Sequence, residues 1–162
     1  MKIVRAELSD TETVREISHE TIKAVYPHYY PKGAVDFFLA HHNRENILRD
    51  IEAGEVWLIS DDGDAVGTVT VNGNEINRLF VLPQYQGKGF GRALMEYAEK
   101  LIFGKYDCAE LSASLPAKAI YMKNGYTSVS YHIIDCDNGD KLCYDYMKKP
   151  NLENQKIIIE KQ

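Results

Sequence analysis

The residues best placed to do chemistry lie together at Gln86-Gly87-Lys88-Gly89-Phe90-Gly91, with Arg92 following. Three glycines in five residues allow a tight backbone path and let its amides turn toward a ligand. Directly behind, Phe90, Ala93, Leu94, Tyr97, Ala98, Leu101 and Ile102 recur at helical spacing. A helix starting there carries an effective charge of about +0.5 at its N-terminus. Loop and helix together make an anion site, most naturally for a phosphate. Lys88 and Arg92 add mobile positive charge beside it. Two common phosphate motifs do not fit. Counting G-x-G-x-x-G from Gly87 puts Arg92 at the third glycine, and no G-x-x-x-x-G-K-S/T occurs. The plainer alternative is a glycine-rich turn with no ligand, although one glycine would suffice for a turn.

A second group stands downstream: Ser114, Ala117, Ile120, Tyr121, Gly125 and Tyr126. With it the chain resembles the GNAT superfamily of N-acetyltransferases. Gln86, Gly89 and Gly91 match the acetyl-CoA loop of that family. Ala117, Ile120, Tyr121, Gly125 and Tyr126 match its later helix, where Ser114 replaces the usual asparagine. The resemblance runs from the opening strand through the last hairpin. It implies a single α/β (α+β) domain over residues 1–149, a bent, mostly antiparallel mixed sheet flanked by helices. Acetyl-CoA would enter a splay between strands 4 and 5. By position, Gln86, Gly87, Lys88, Gly89, Phe90, Gly91 and Arg92 would hold the pyrophosphate. Leu79, Phe80 and Val81 would pair with the pantetheine arm, and Ser114, Ala117 and Tyr121 would complete the cofactor site.

The implied reaction is direct attack of a primary amine on a thioester through a tetrahedral oxyanion, with a thiolate leaving. It needs a base, oxyanion donors and an acid. Tyr121 stands where the family places its thiolate-protonating tyrosine; the alternative is helix packing. A tyrosine near pKa 10 does not strongly drive transfer to a thiolate near 8.5, so a hydrogen bond to the sulfur is the larger effect expected. Glu75 is the candidate base, six residues before Val81, acting through water; the alternative is a solvated charge after the Asn72-Gly73 turn. With strict alternation, Glu75, Asn77, Leu79 and Val81 share one face. The oxyanion donor expected is a backbone amide near Val81.

The acceptor side is read from Tyr26-Pro27-His28-Tyr29-Tyr30-Pro31. Tyr26, His28, Tyr29, Tyr30 and, from the strand, Asn77 are expected to bind an amine with an apolar or cationic body, the aromatics in particular. Packing at a helix corner is an equal alternative. His41, His42 and Glu45 suggest a metal, but adjacent histidines diverge by about 100° on a helix and no third ligand is evident, so no metal is expected. A net charge of −5, from 19 basic and 24 acidic residues, argues against a nucleic-acid partner. It mildly favours a cationic acceptor such as a polyamine or a basic side chain. The expected acceptor is a small amine. The alternatives are a non-catalytic acyl-CoA sensor and a protein lysine or N-terminal acetyltransferase.

The elements that must position these residues follow from pattern. Lys2 to Ala6 reads as a strand, and Ser9 with Glu12 as a capping box. Helices follow around Val14 to Val25, Ala34 to Leu39 and Ile47 to Ile51, the last closed by Gly54. Glu55 to Ser60, Ala65 to Val71 and Glu75 to Val81 form a meander that Pro83 ends. Cys108 to Ala113 is a strand, Pro116 opens a short helix, and Tyr126 to Cys136 with Lys141 to Met147 make the last hairpin. The length of 162 residues suits one domain. Three cysteines without a C-x-x-C pair, no apolar run of membrane length and no apolar signal core point to a cytoplasmic protein with no membrane partner. A homodimer is expected. The tail 150–162, with Ile157-Ile158-Ile159, either is disordered or packs on a partner subunit.

Overall fold

The computed structural model describes residues 1–152. Seven strands make one sheet: β1 (Lys2–Arg5), β2 (Val56–Asp61), β3 (Asp64–Asn72), β4 (Glu75–Val81), β5 (Cys108–Ser114), β6 (Thr127–Asp135) and β7 (Lys141–Pro150). Their order is β1-β2-β3-β4-β5-β7-β6. All neighbours are antiparallel except β4 and β5, which are parallel. The helices are α1 (Thr11–Val25), α2 (Lys32–His41), α3 (Arg44–Glu52), α4 (Phe90–Phe103) and α5 (Leu115–Lys123). This is the mixed, helix-flanked sheet expected from the sequence.

Two apolar layers hold the sheet. On one face Val69, Val71, Ile76 and Val81 pack under Leu94, Ala98 and Ile102 of α4. On the other, Leu58 and Phe80 pack under Val14, Ile17, Ile22 and Ile47 of α1 and α3. α1 buries Val14, Ile17, Ser18, Thr21 and Ile22, the stripe its periodicity predicts. Its start differs from expectation. Ser9 lies inside a 3-10 turn (Leu8–Asp10), and the Asp10 carboxylate accepts from the Glu7 N–H at 2.8 Å. The turn has taken the place where Ser9 would cap. α3 ends as expected, with Gly54 at φ +72 donating its N–H to Ile51 O at 2.8 Å.

The expectation that Glu75, Asn77, Leu79 and Val81 share a face is overturned by a bulge. Thr70 pairs with Asn77, but Thr68 pairs with Phe80, so Arg78 and Leu79 together oppose Val69. One extra residue reverses the alternation beyond it. Asn77 and Phe80 therefore share a face, and Val81 turns to the other, under α4. Arg78 adopts φ +44, a left-handed backbone that costs a non-glycine residue about 1 kcal/mol or more.

Buried side-chain bonding holds Arg78 there. Its Nη1 donates to Asp50 Oδ2 at 2.7 Å and to Thr70 Oγ1 at 2.9 Å. Its Nε donates to His42 Nδ1 at 3.2 Å. Both histidine candidates for a metal thus find other surroundings: His42 serves Arg78, and His41 stacks on Phe37 with ring centres 6.4 Å apart.

β7 reaches Pro150, and the buried Asn151 donates its N–H to Asp107 O at 2.7 Å. Ile157-Ile158-Ile159 lie outside the described residues.

Replacing Arg78 with Met removes the guanidinium while leaving Asp50 and His42 in place. The loss expected is about 3 kcal/mol, the scale for breaking one side of a buried pair. Urea denaturation checks it; an unchanged midpoint would show that the bulge stands without this network.

Candidate active site

β4 and β5 stay together for two pairs, Glu75 with Glu110 and Ile76 with Leu111. The edge of β4 beyond Ile76 is then free of β5, and a 580 Å³ cavity lies in the parting. Leu79, Phe80 and Val81 line it from the strand, Gln86, Gly87, Gly89, Gly91 and Arg92 from one end, and Ser114, Ala117 and Tyr121 from the other side; Lys88 and Phe90 do not line it. Leu82 N–H donates to Val66 O. Backbone groups alternate along a strand, so those of Val81 face away from β3 and into the gap. The Val81 carbonyl accepts there from Gln86 Nε2 at 2.9 Å and from Thr21 Oγ1 at 3.1 Å. Those two bonds fix the strand end against the loop.

The loop delivers what its composition suggests. Gly87 and Gly89 take φ +75 and +93, conformations closed to most side chains. A Cβ on Gly87 would meet open space, so backbone shape rather than crowding requires glycine there. From Gly87 to Arg92, six consecutive backbone N–H groups have no acceptor among the described residues. The α4 dipole adds to them. Lys88 Nζ lies 5.0 Å from the Tyr85 ring centre. Arg92 pairs with Glu96 at 2.8 Å on the open surface, a weak contact that leaves its guanidinium free to turn. Phe90 is buried and packs edge-on against Tyr85, so it offers the site its amide alone.

A second cavity, of 360 Å³, lies on the α2 side. Glu75, Asn77 and Arg78 line it from β4, Phe37, Phe38 and His41 from α2, and Ile134, Leu142 and Tyr144 from the last hairpin. Six residues belong to both cavities: Tyr26, Leu79, Phe80, Ser114, Ala117 and Tyr121. The two spaces meet there. Burial, with the Tyr26 phenol as the lesser cause, pushes the Tyr121 phenol above its ordinary value, so it stays protonated at neutral pH. Its ring is held edge-on by Tyr126 at 5.7 Å. Burial and the nearby Glu110 push Glu75 above the usual carboxylate range.

The aromatic segment before α2 works differently from its reading as an acceptor wall. Tyr26 does line both cavities. Its hydroxyl donates to Ser114 Oγ at 3.2 Å. Tyr30 is buried away from both: its hydroxyl donates to Cys143 O and accepts from Leu115 N–H, each at 2.8 Å. His28 and Tyr29 are exposed and line neither cavity. Ser114 sits at the N-cap of α5 without capping it. Pro116 has no N–H to offer, and Tyr30 has taken the Leu115 amide. Two tyrosines from one turn thus tie the start of α5 to the α1–α2 corner, across the gap. Sequence reasoning missed Phe37, Phe38 and His41 of α2 and Tyr144 of β7. Phe37 and His41 are four apart and share a helix face, which could have flagged a second wall.

Comparison with known proteins bears on the fold and on residues 52–128. The acetyltransferase (GNAT) domain family matches residues 52–128. No curated protein matches the chain in sequence. Among solved structures, a GCN5-related N-acetyltransferase, also described as a class-II aminotransferase, from Rhodopseudomonas palustris is similar at TM-score 0.85 and 20% identity, covering 93% of this chain and 95% of its own. The PaiA N-acetyltransferase of Thermoplasma acidophilum, solved with coenzyme A, gives 0.70 and 22%, covering 93% and 98%. YncA of Salmonella typhimurium, described as a putative acetyltransferase and solved with acetyl-CoA, gives 0.69 and 17%, covering 93% of each chain. Residues 52–128 thus match the acetyltransferase (GNAT) domain family, and the chain shares its fold with these solved structures.

Tyr30→Phe removes two hydrogen bonds, one from Leu115 N–H at the start of α5 and one to Cys143 O on β7. It should cost about 2 kcal/mol, since each buried bond contributes about 1 kcal/mol. Urea denaturation measures this, and full stability would show that the tie is not needed.

Proposed function

We propose that this chain transfers the acetyl group of acetyl-CoA to a primary amine of small-molecule size. The observation that carries the reading is the meeting of two cavities at Phe80, Ser114 and Tyr121. One of them ends in six unpartnered amides, and the other holds a carboxylate.

The residues present fit the donor. The amides from Gly87 to Arg92 give a pyrophosphate its donors, and the α4 dipole and Lys88 add to the field. Leu79 to Val81 offer a free strand edge to an amide-bearing arm, as an added strand would take it. Acetyl-CoA supplies a thioester carbonyl open to attack. Val81, whose N–H faces the gap, is the donor for the negative charge that develops on that carbonyl oxygen. Tyr121 keeps its proton and presents its O–H to the sulfur that leaves. A phenol raised above its ordinary value gives its proton up reluctantly, so hydrogen bonding to the developing thiolate is its main effect.

Glu75 is the base. It lines the second cavity, and its raised pKa brings its basicity closer to what removal of an ammonium proton requires. The distance along β4 from the meeting point makes water the carrier of that proton. Tyr26, held to Ser114, forms part of the boundary that the two spaces share. Asn77 offers the amine a neutral polar contact from the same face of β4 as Phe80. A cavity of 360 Å³ matches a small acceptor in size.

Two variants test the assignment together by CoA-thiol release and by calorimetry of acetyl-CoA binding. Tyr121→Phe should lower kcat by about 100-fold with acetyl-CoA affinity nearly unchanged. Gly89→Asp should abolish acetyl-CoA binding, because a side chain and a negative charge would enter the amide cradle. Full turnover in Tyr121→Phe would refute the role of Tyr121, and intact binding in Gly89→Asp would refute the phosphate site.

A further inference from the structure

We infer that the second cavity selects primary amines with an apolar or aromatic body and no carboxylate, and rejects free amino acids. The inference rests on the acetyl-transfer reading above and concerns only the acceptor.

The argument is a charge count. A buried carboxylate left without a cationic partner is strongly disfavoured. Among the described residues lining this cavity, Arg78 carries the one fixed positive charge. Its guanidinium is already used, by Asp50, Thr70 and His42, and its side chain is only 5% exposed. His42 accepts at Nδ1 from Arg78, so that nitrogen bears no proton. Burial and the Arg78 charge hold its pKa at about 2. Burial first, then Arg78, also push His41 below its usual value. No cation is left over for an acceptor's carboxylate.

Negative charge is present instead. Glu110, the register neighbour of Glu75 on β5, is paired with Lys148 at 2.8 Å and adds little net charge; Glu75 itself lines the cavity with no ion pair among the described residues. Such a field draws in an ammonium group and opposes a carboxylate. The walls complete the case. Phe37, Phe38, Ile134, Leu142 and Tyr144 offer apolar surface to a hydrocarbon or aryl body, and the rings also suit a cation. Tyr144 is itself held by stacking on His132, with ring centres 5.0 Å apart.

The test compares tyramine, tyrosinamide and tyrosine as acceptors. Tyrosinamide keeps the branching of tyrosine without its negative charge, so size and charge separate. Tyramine and tyrosinamide should be acetylated with kcat/KM on the order of 100-fold or more above tyrosine. In calorimetry with CoA present, tyramine should bind and tyrosine should not. His41→Arg, which adds a cation to the wall, should raise the use of tyrosine at least about tenfold relative to tyramine. Tyrosine used as well as tyrosinamide would overturn the inference. So would failure of tyramine and tyrosinamide to react or bind. If acetyl-CoA binds and only carboxylated acceptors react, the acceptor inference falls and acetyl transfer stands. If acetyl-CoA does not bind, both fall.

Discussion

The parting of β4 from β5 is the constraint on which the rest of this molecule depends. Two parallel strands that stayed paired would close the space that opens between them here. Here they stay paired for two residues only. The bulge at Arg78 and Leu79 comes just beyond the last pair and turns the strand. A bulge bends its strand and strengthens the local twist, which is the change needed to lead β4 away from β5. The strained backbone of Arg78 is offset by a buried network that reaches Thr70 on β3, Asp50 on α3 and His42 at the end of α2. The same guanidinium that steadies the bulge is thereby withdrawn from the second cavity, whose wall it helps to line. Strand geometry and the charge available in that cavity have one physical origin.

The far wall of the gap is steadied separately. Tyr26 and Tyr30 leave one turn and bond to consecutive residues, Ser114 and Leu115, at the start of α5. That helix carries Tyr121. The loop before α4 is fixed to the strand end through Gln86 and the Val81 carbonyl. Three short bonding systems therefore set the positions of the bulged strand, the tyrosine helix and the amide cradle. In an acidic protein, the cradle is a local concentration of positive field made mostly from backbone amides.

Much of this was legible in the residues. The glycine loop, the helix behind it and the order of elements follow from glycine spacing and helical periodicity, and the structure keeps them at those places. The face assignment along β4 did not follow. A period-2 reading assumes unbroken alternation, and no residue type between Glu75 and Val81 marks the bulge; Arg78 is an ordinary strand residue until its partners on α2, α3 and β3 are known. The Tyr26 to Tyr30 segment was conspicuous for its aromatic density, yet the use of each ring depends on what α5 and β7 bring opposite it. Tyr26 reached the cavity and Tyr30 became a strut. Phe37, Phe38 and Tyr144 were hidden for the same reason, since each reads as ordinary core until the parting gives it a space to face.

The most direct measurement is the steady-state rate of CoA-thiol release with acetyl-CoA and a reactive primary amine both varied. If the two cavities hold donor and acceptor together at Phe80, Ser114 and Tyr121, release depends on both and the double-reciprocal lines intersect. Parallel lines, which mark an acyl group parked on the protein between two separate visits, would contradict the account, as would release indifferent to the amine.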